Sequence, residues 1–168
     1  MKVLVVDDDA SVRGSLRKVL EDEGYEVILA GDGQEAVERF GRDQVDLVLM
    51  DLGLPIMNGW DAFERITSQN PVLPVIIITG QADQYDTALA AGVGALMEKP
   101  LDAPRLLQTM QKLLAEPNET RLFRRCGYER GVRHVWTRRR PFLHSLRRRR
   151  VPPFRYPRSH RDGDVSEF

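Results

Sequence analysis

VDLVLMD, residues 45–51, is a short apolar run that closes on a carboxylate. It is too short for an ordinary helix, and Leu47 to Met50 are consecutive apolar residues, which predicts a strand buried on both faces. The same pattern recurs on either side of it. VLVV (3–6) runs into Asp7 and Asp8, VIII (75–78) into Thr79, and ALME (95–98) into Lys99. YEVILA (25–30) adds a fifth run, followed by the turn Gly31-Asp32-Gly33.

Helical patterns separate these runs. Val12, Leu16, Val19 and Leu20 recur at helical spacing, with Asp9 or Ser11 placed to cap the start and Gly24 to end the helix. Helices are predicted from Gln34 to about Phe40, over 59–68 after the loop Asp51–Asn58, and weakly over 83–91. Pro100 breaks the fifth run, and Asp102 caps a last helix carrying Leu106, Leu107, Met110, Leu113 and Leu114. Five βα units with right-handed crossovers place helices on both faces of a parallel sheet. The expected fold class is therefore α/β, a doubly wound, five-stranded, three-layer α/β/α sandwich.

In such a sheet the carboxyl ends of the strands share one edge, and ligands bind there. Residues distant in sequence then meet: the carboxylates of Asp7, Asp8 and Asp51, the hydroxyl of Thr79 and the ammonium of Lys99. Three neighbouring carboxylates repel one another. A hard, oxygen-seeking dication such as Mg2+ offsets that repulsion.

The formal net charge of zero hides two segments of opposite sign. Residues 1–117 hold 10 Lys and Arg against 20 Asp and Glu, whereas 118–168 hold 15 Arg, no Lys and 5 acids. The second segment clusters its Arg at 138–140 and 147–150 and is interrupted by Pro141, Pro152, Pro153 and Pro157. It has too little aliphatic content for a core of its own. The expected organisation is a domain over 1–117 and an Arg-rich, largely irregular or disordered tail over 118–168. Cys126 is the single cysteine, so no intramolecular disulfide forms. No signal-peptide pattern is present, and no apolar stretch reaches the ~20 residues that span a bilayer. A cytoplasmic protein without membrane contact is expected.

The motifs VVDDD (5–9), GDGQEA (31–36), LMDLGLPIMNGW (49–60), IIITG (76–80) and MEKP (97–100), in that order and spacing, resemble the receiver domain of bacterial two-component response regulators. The resemblance covers about residues 1–117 and brings with it the flavodoxin-like strand order 2-1-3-4-5. It implies that Asp51 accepts a phosphoryl group from a histidine kinase or phosphotransfer protein. It implies that Asp7, Asp8, Asp51 and the backbone carbonyl of Gly53 hold Mg2+, that Lys99 pairs with Asp51, and that Thr79 carries the switch to an unidentified downstream protein. It also implies a cis peptide at Lys99-Pro100. Leu96 departs from the family, which often has an aromatic residue there. The resemblance further implies that Gly53 and Gln81 occupy positions that in the family tune phosphoryl lifetime.

Plainer readings stand beside these. Asp7, Asp8 and Asp9 also suit the N-terminal dipole of the first helix. Trp60 reads as packing. His134, His144 and His160 lack metal-ligand spacing to Cys126. Two other functions compete: a DNA-binding response regulator whose output is the tail, and a Mg2+-dependent phosphatase of the haloacid dehalogenase type. The latter usually carries its nucleophile in an Asp-x-Asp motif at the first strand, whereas the nucleophile candidate here, Asp51, follows the third, and no cap domain is expected. The expected chain is a switch rather than an enzyme with external substrates. The tail's Arg clusters and aromatics leave room for weak, non-specific nucleic-acid contact or docking on the acidic domain. Homodimerisation stays open.

Overall fold

The computed structural model describes residues 1–81 and 83–125. The elements run β1 (Lys2–Val6), α1 (Ala10–Asp22), β2 (Glu26–Ala30), α2 (Gly33–Arg42), β3 (Leu47–Asp51), α3 (Gly59–Gln69), β4 (Val75–Thr79), α4 (Tyr85–Ala90), β5 (Ala95–Glu98), α5 (Ala103–Leu114) and α6 (Asn118–Arg125). All strand pairs are parallel, in the order β2-β1-β3-β4-β5. This is the expected flavodoxin-like α/β sandwich.

The alternation of side chains along a strand divides the interior in two. Val3, Val5, Leu47, Leu49, Ile76 and Ile78 face Leu16 and Leu20 of α1 and Leu106, Met110 and Leu113 of α5. Leu4, Val6, Val48, Met50, Val75 and Ile77 face Ala36 of α2, Ala62, Phe63 and Ile66 of α3, and Ala88 of α4. Both faces of the central strands are thereby covered, which is why their sequences show no polar alternation.

Short polar side chains start the helices. Asp9 accepts from the Ser11 backbone N–H at 2.7 Å, Asp32 from Glu35 at 2.8 Å, Asn58 from Asp61 at 2.9 Å and Asp102 from Arg105 at 3.2 Å. The bond from Ser11 is the main reason the Asp9 carboxyl sits below its usual pKa. The helix α4 has no such cap, and it is shorter than the 83–91 expected. Gln84 just before it instead accepts a hydrogen bond from the Trp60 indole at 3.1 Å, and Trp60 packs edge-on against Phe63.

The segment expected to be largely irregular starts with a helix not foreseen from the sequence: its first eight residues form α6. This helix buries no complete residue, and it exposes Leu122 and Phe123. Its seat is polar. The Arg121 guanidinium donates to the carbonyls of Leu113 at 2.7 Å, Leu114 at 3.0 Å and Val72 at 3.3 Å, and Arg124 pairs with Glu116. The Arg125 guanidinium lies 5.3 Å from the Phe63 ring centroid. Gly92, at φ +68, lets the helix approach: a Cβ there would lie 2.7 Å from the Arg125 Cα. Apolar periodicity could not announce a helix held by guanidinium groups on carbonyl oxygens. The rest of the tail, with Cys126 and the three histidines, lies outside the described residues.

Candidate functional site

Parallel strand order carries the five singled-out residues to one edge. Asp7 follows β1, Asp51 ends β3, Thr79 ends β4 and Lys99 follows β5. Asp7, Asp51 and Thr79 are 2%, 7% and 0% exposed, while Asp8 lies open to solvent. One carboxylate oxygen from each of Asp7, Asp8 and Asp51 lies within 4.8 Å of the others.

Lys99 binds two of the three carboxylates. Its Nζ lies 2.6 Å from Asp51 Oδ2 and 2.8 Å from Asp7 Oδ2. The pairing with Asp7 was not foreseen from the sequence. The other oxygens take backbone donors: Asp7 Oδ1 accepts from Asp9 at 2.9 Å, and Asp51 Oδ1 from Gly53 at 3.1 Å. Partial burial works most strongly against the Lys99 charge. The hydrogen bonds and charges of Asp51 and Asp7 together outweigh it and hold the ammonium above lysine's ordinary value. The Lys99-Pro100 peptide is cis, as expected.

Thr79 points into its own loop, where its Oγ1 accepts from the Gln81 backbone N–H at 3.0 Å. The Gln81 amide also lies near the site, since a Cβ on Gly53 would be 3.7 Å from its Nε2 and 3.9 Å from Asp51 Oδ1. The loop after Asp51 closes back on it. Gly59 donates to the Leu52 carbonyl at 3.1 Å, and a Cβ at Gly59 would collide with the Asp51 carbonyl and lie 2.7 Å from the Leu52 Cα. Within that loop Ile56 has φ 66, a costly conformation for a β-branched residue, and it is 85% exposed.

The donor set suits a hard cation. It is made only of oxygen, it carries three formal negative charges, and Lys99 neutralises one of them. Asp8 accepts no hydrogen bond on its carboxylate from any described residue, which leaves both oxygens available. Arg13 was also not foreseen. Its Nη1 donates to the Asp7 backbone carbonyl at 2.6 Å. A guanidinium on a main-chain oxygen leaves no sequence pattern by which to find it.

At this edge of the sheet an open acidic cluster adjoins a partly buried Asp–Lys ion pair. Residues 3–111 match the model of the response regulator receiver domain, and the chain belongs to that family. It is 35% identical over 116 residues to the response regulator MprA of Mycobacterium leprae, covering 68% of this chain and 51% of MprA. The CheY-like receiver domain protein of Methanospirillum hungatei superposes with a TM-score of 0.66 at 32% identity, covering 71% of this chain and 96% of that one. The receiver domain of the sensor histidine kinase PA1611 of Pseudomonas aeruginosa, solved with a magnesium ion in its active-site cleft, gives 0.63 at 30% identity, over 68% and 98%. The chain spans about half the length of the curated response regulators it matches. Family membership decides between the two Asp-nucleophile readings in favour of the receiver domain. No helix among the described residues is long and apolar enough to cross a membrane.

Proposed function

We propose that this chain is the receiver of a two-component phosphorelay, with Asp51 as its phospho-acceptor and Mg2+ held by Asp7, Asp8, Asp51 and the Gly53 carbonyl. The observation that carries the reading is the Lys99 bridge between Asp51 and Asp7 beside an open Asp8. An Asp51 oxygen attacks the phosphorus of a phosphohistidine on a partner kinase or phosphotransfer protein. The P–N bond breaks, the imidazole takes up a proton and leaves, and an acyl phosphate forms on Asp51. Mg2+ supplies neutralisation of the charge on the phosphoryl oxygens. Lys99 remains beside Asp51 and pairs with the phosphoryl group, and the Thr79 hydroxyl proton is placed to turn toward it. Buried Thr79, at the head of the loop leading to α4, couples the site to that helix. The partner surface is the face built by α4, β5 and α5.

The activity is self-phosphorylation and self-dephosphorylation, without turnover of external substrates. The chain works in the cytoplasm, where kinases hold the phosphoryl donor. The Arg-rich segment, if it contacts nucleic acid, does so weakly and through phosphates. Incubation with a small acyl phosphate and Mg2+ tests the core of this reading. Asp51 is expected to gain an acid-stable, base-labile phosphoryl group, chelation to suppress it and Asp51→Asn to abolish it. Undiminished labelling of the Asn variant overturns the assignment.

A further inference from the structure

Arg13 stands beside an acidic site yet forms no ion pair with any described carboxylate. Its Nη1 instead donates to the neutral carbonyl of Asp7 at 2.6 Å. The same guanidinium lies 3.6–3.8 Å from where a Cβ on Gly31 would be, so it bridges the loops after β1 and β2. Arg13 itself is fixed within α1, its backbone N–H bonded to the Asp9 carbonyl at 3.0 Å.

The three carboxylates differ in what holds them. Asp7 and Asp51 are each anchored at both oxygens, one by Lys99 and one by a backbone N–H. The Asp8 side chain has no anchor among the described residues. Its position is therefore set by the main chain that carries it. The peptide joining Asp7 to Asp8 is held through its carbonyl oxygen by Arg13. Rotation of that peptide would swing the start of the Asp8 side chain away from Asp7 and Asp51.

We propose that Arg13 is a positioning residue for the cation site: its bond to the Asp7 carbonyl aims Asp8 at the pocket shared with Asp7 and Asp51. This rests on the reading of that pocket as a Mg2+ site. The role makes a prediction opposite in sign to the effect of charge alone. A cation near a dication site weakens metal binding by Coulomb repulsion, so removing it should tighten binding. A positioning group, when lost, weakens binding, and loss of partners that orient metal ligands typically costs about 10–100-fold.

The test is calorimetric Mg2+ titration of the full chain and of Arg13→Met, with melting temperatures measured in chelator. Arg13→Met is expected to bind Mg2+ about tenfold more weakly, near the lower end of that range. Its phosphorylation should need correspondingly more Mg2+ but reach the unaltered chain's rate at saturation. A merely structural role would lower the melting temperature in chelator without moving the Mg2+ affinity. Should Arg13→Met fail to fold, Arg13→Gln, two bonds too short to reach the carbonyl, is judged by the same criterion. Equal or tighter Mg2+ binding by the folded variant overturns the positioning role while leaving the metal site intact. Absence of Mg2+ binding by the unaltered chain removes the site and the role together.

Discussion

Lys99 reaches across the end of β4 to meet Asp51. Asp51 ends β3 and Lys99 follows β5, two strands with β4 between them, yet Nζ and Oδ2 lie 2.6 Å apart. Asp7, on the far side of Asp51, accepts from the same ammonium. One cation thus holds two buried carboxylates that would otherwise repel. Lys99→Met is predicted to cost about 1–3 kcal/mol in chelator, the range for leaving a buried acceptor unpaired. Added Mg2+ should recover more stability in the variant than in the unaltered chain, because the dication then meets less competition. Denaturant titrations with and without Mg2+ measure both; equal recovery would count against the shared pocket.

The raised pKa of Lys99 sets a pH window. The folded value lies above the unfolded one, so the ion-pair contribution is complete below lysine's ordinary 10.5 and fades as pH rises through the higher folded value. Stability across the neutral range should not depend on this group. Alkaline unfolding midpoints should fall in the unaltered chain more steeply than in Lys99→Met. Parallel curves for the two proteins above pH 10.5 would refute the assignment.

Gly59 is a second fixed point. The main chain of Asp51 and Leu52 occupies the space a side chain would need, and that contact is backbone on backbone. Gly59→Ala is expected to shift the start of α3 or the end of β3, at a cost above the ~1 kcal/mol typical of point substitutions. Because Asp51 itself must move, labelling by a small phosphodonor should fall further than stability alone explains. A variant of unaltered stability and unaltered labelling would show that the loop yields freely.

Leu96 is buried against the α2–α4 face, in the core that contains Ala88. An aliphatic side chain packed there has no ring to swing into space vacated by Thr79. The prediction is that a phosphoryl mimic shifts amide signals over α4, β5 and α5 while the Leu96 side chain rearranges only slightly. Thr79→Ala should weaken those shifts, and Thr79→Ser should preserve them. Shifts confined to the α1 and α2 side would contradict the expected route.

The sheet and the acidic edge were legible because burial on both faces forces continuous apolar runs, and because parallel order sends every strand's carboxyl end to one edge. VDLVLMD and VIIIT could hardly be read otherwise. The caps at Asp9 and Asp102 were legible for a local reason, since a short acceptor side chain before a helical run satisfies the first free N–H groups. The pairing of Lys99 with Asp7 was not, because it depends on sub-ångström placement of one ammonium between two carboxylates. Arg13 and Arg121 share a different obscurity. Each spends its guanidinium on main-chain carbonyls, and a carbonyl looks the same at every position of a sequence.

The last prediction concerns α6. A boundary drawn at Pro117 removes a helix whose Arg121 donates to three carbonyls, two of them in the last turn of α5. The seat is imperfect, because Nε of Arg121 and of Arg124 are buried without acceptors. Its worth is therefore modest, about 1.5–3 kcal/mol, as for one well-made hydrogen bond to a charged group. A chain ending at 117 should fold and accept phosphate on Asp51, since every phosphochemical residue precedes Pro100, but should unfold earlier in denaturant than one ending at 125. Gly92→Ala in the longer chain should reproduce the loss, because its Cβ would lie 2.7 Å from the Arg125 Cα and 2.8 Å from the Arg124 carbonyl oxygen, and φ +68 is strained for alanine. In the chain ending at 117 the same substitution should cost only the backbone strain. Equal stability of the two lengths, or an equal effect of Gly92→Ala in both, would mean that α6 does not rest on the domain in solution.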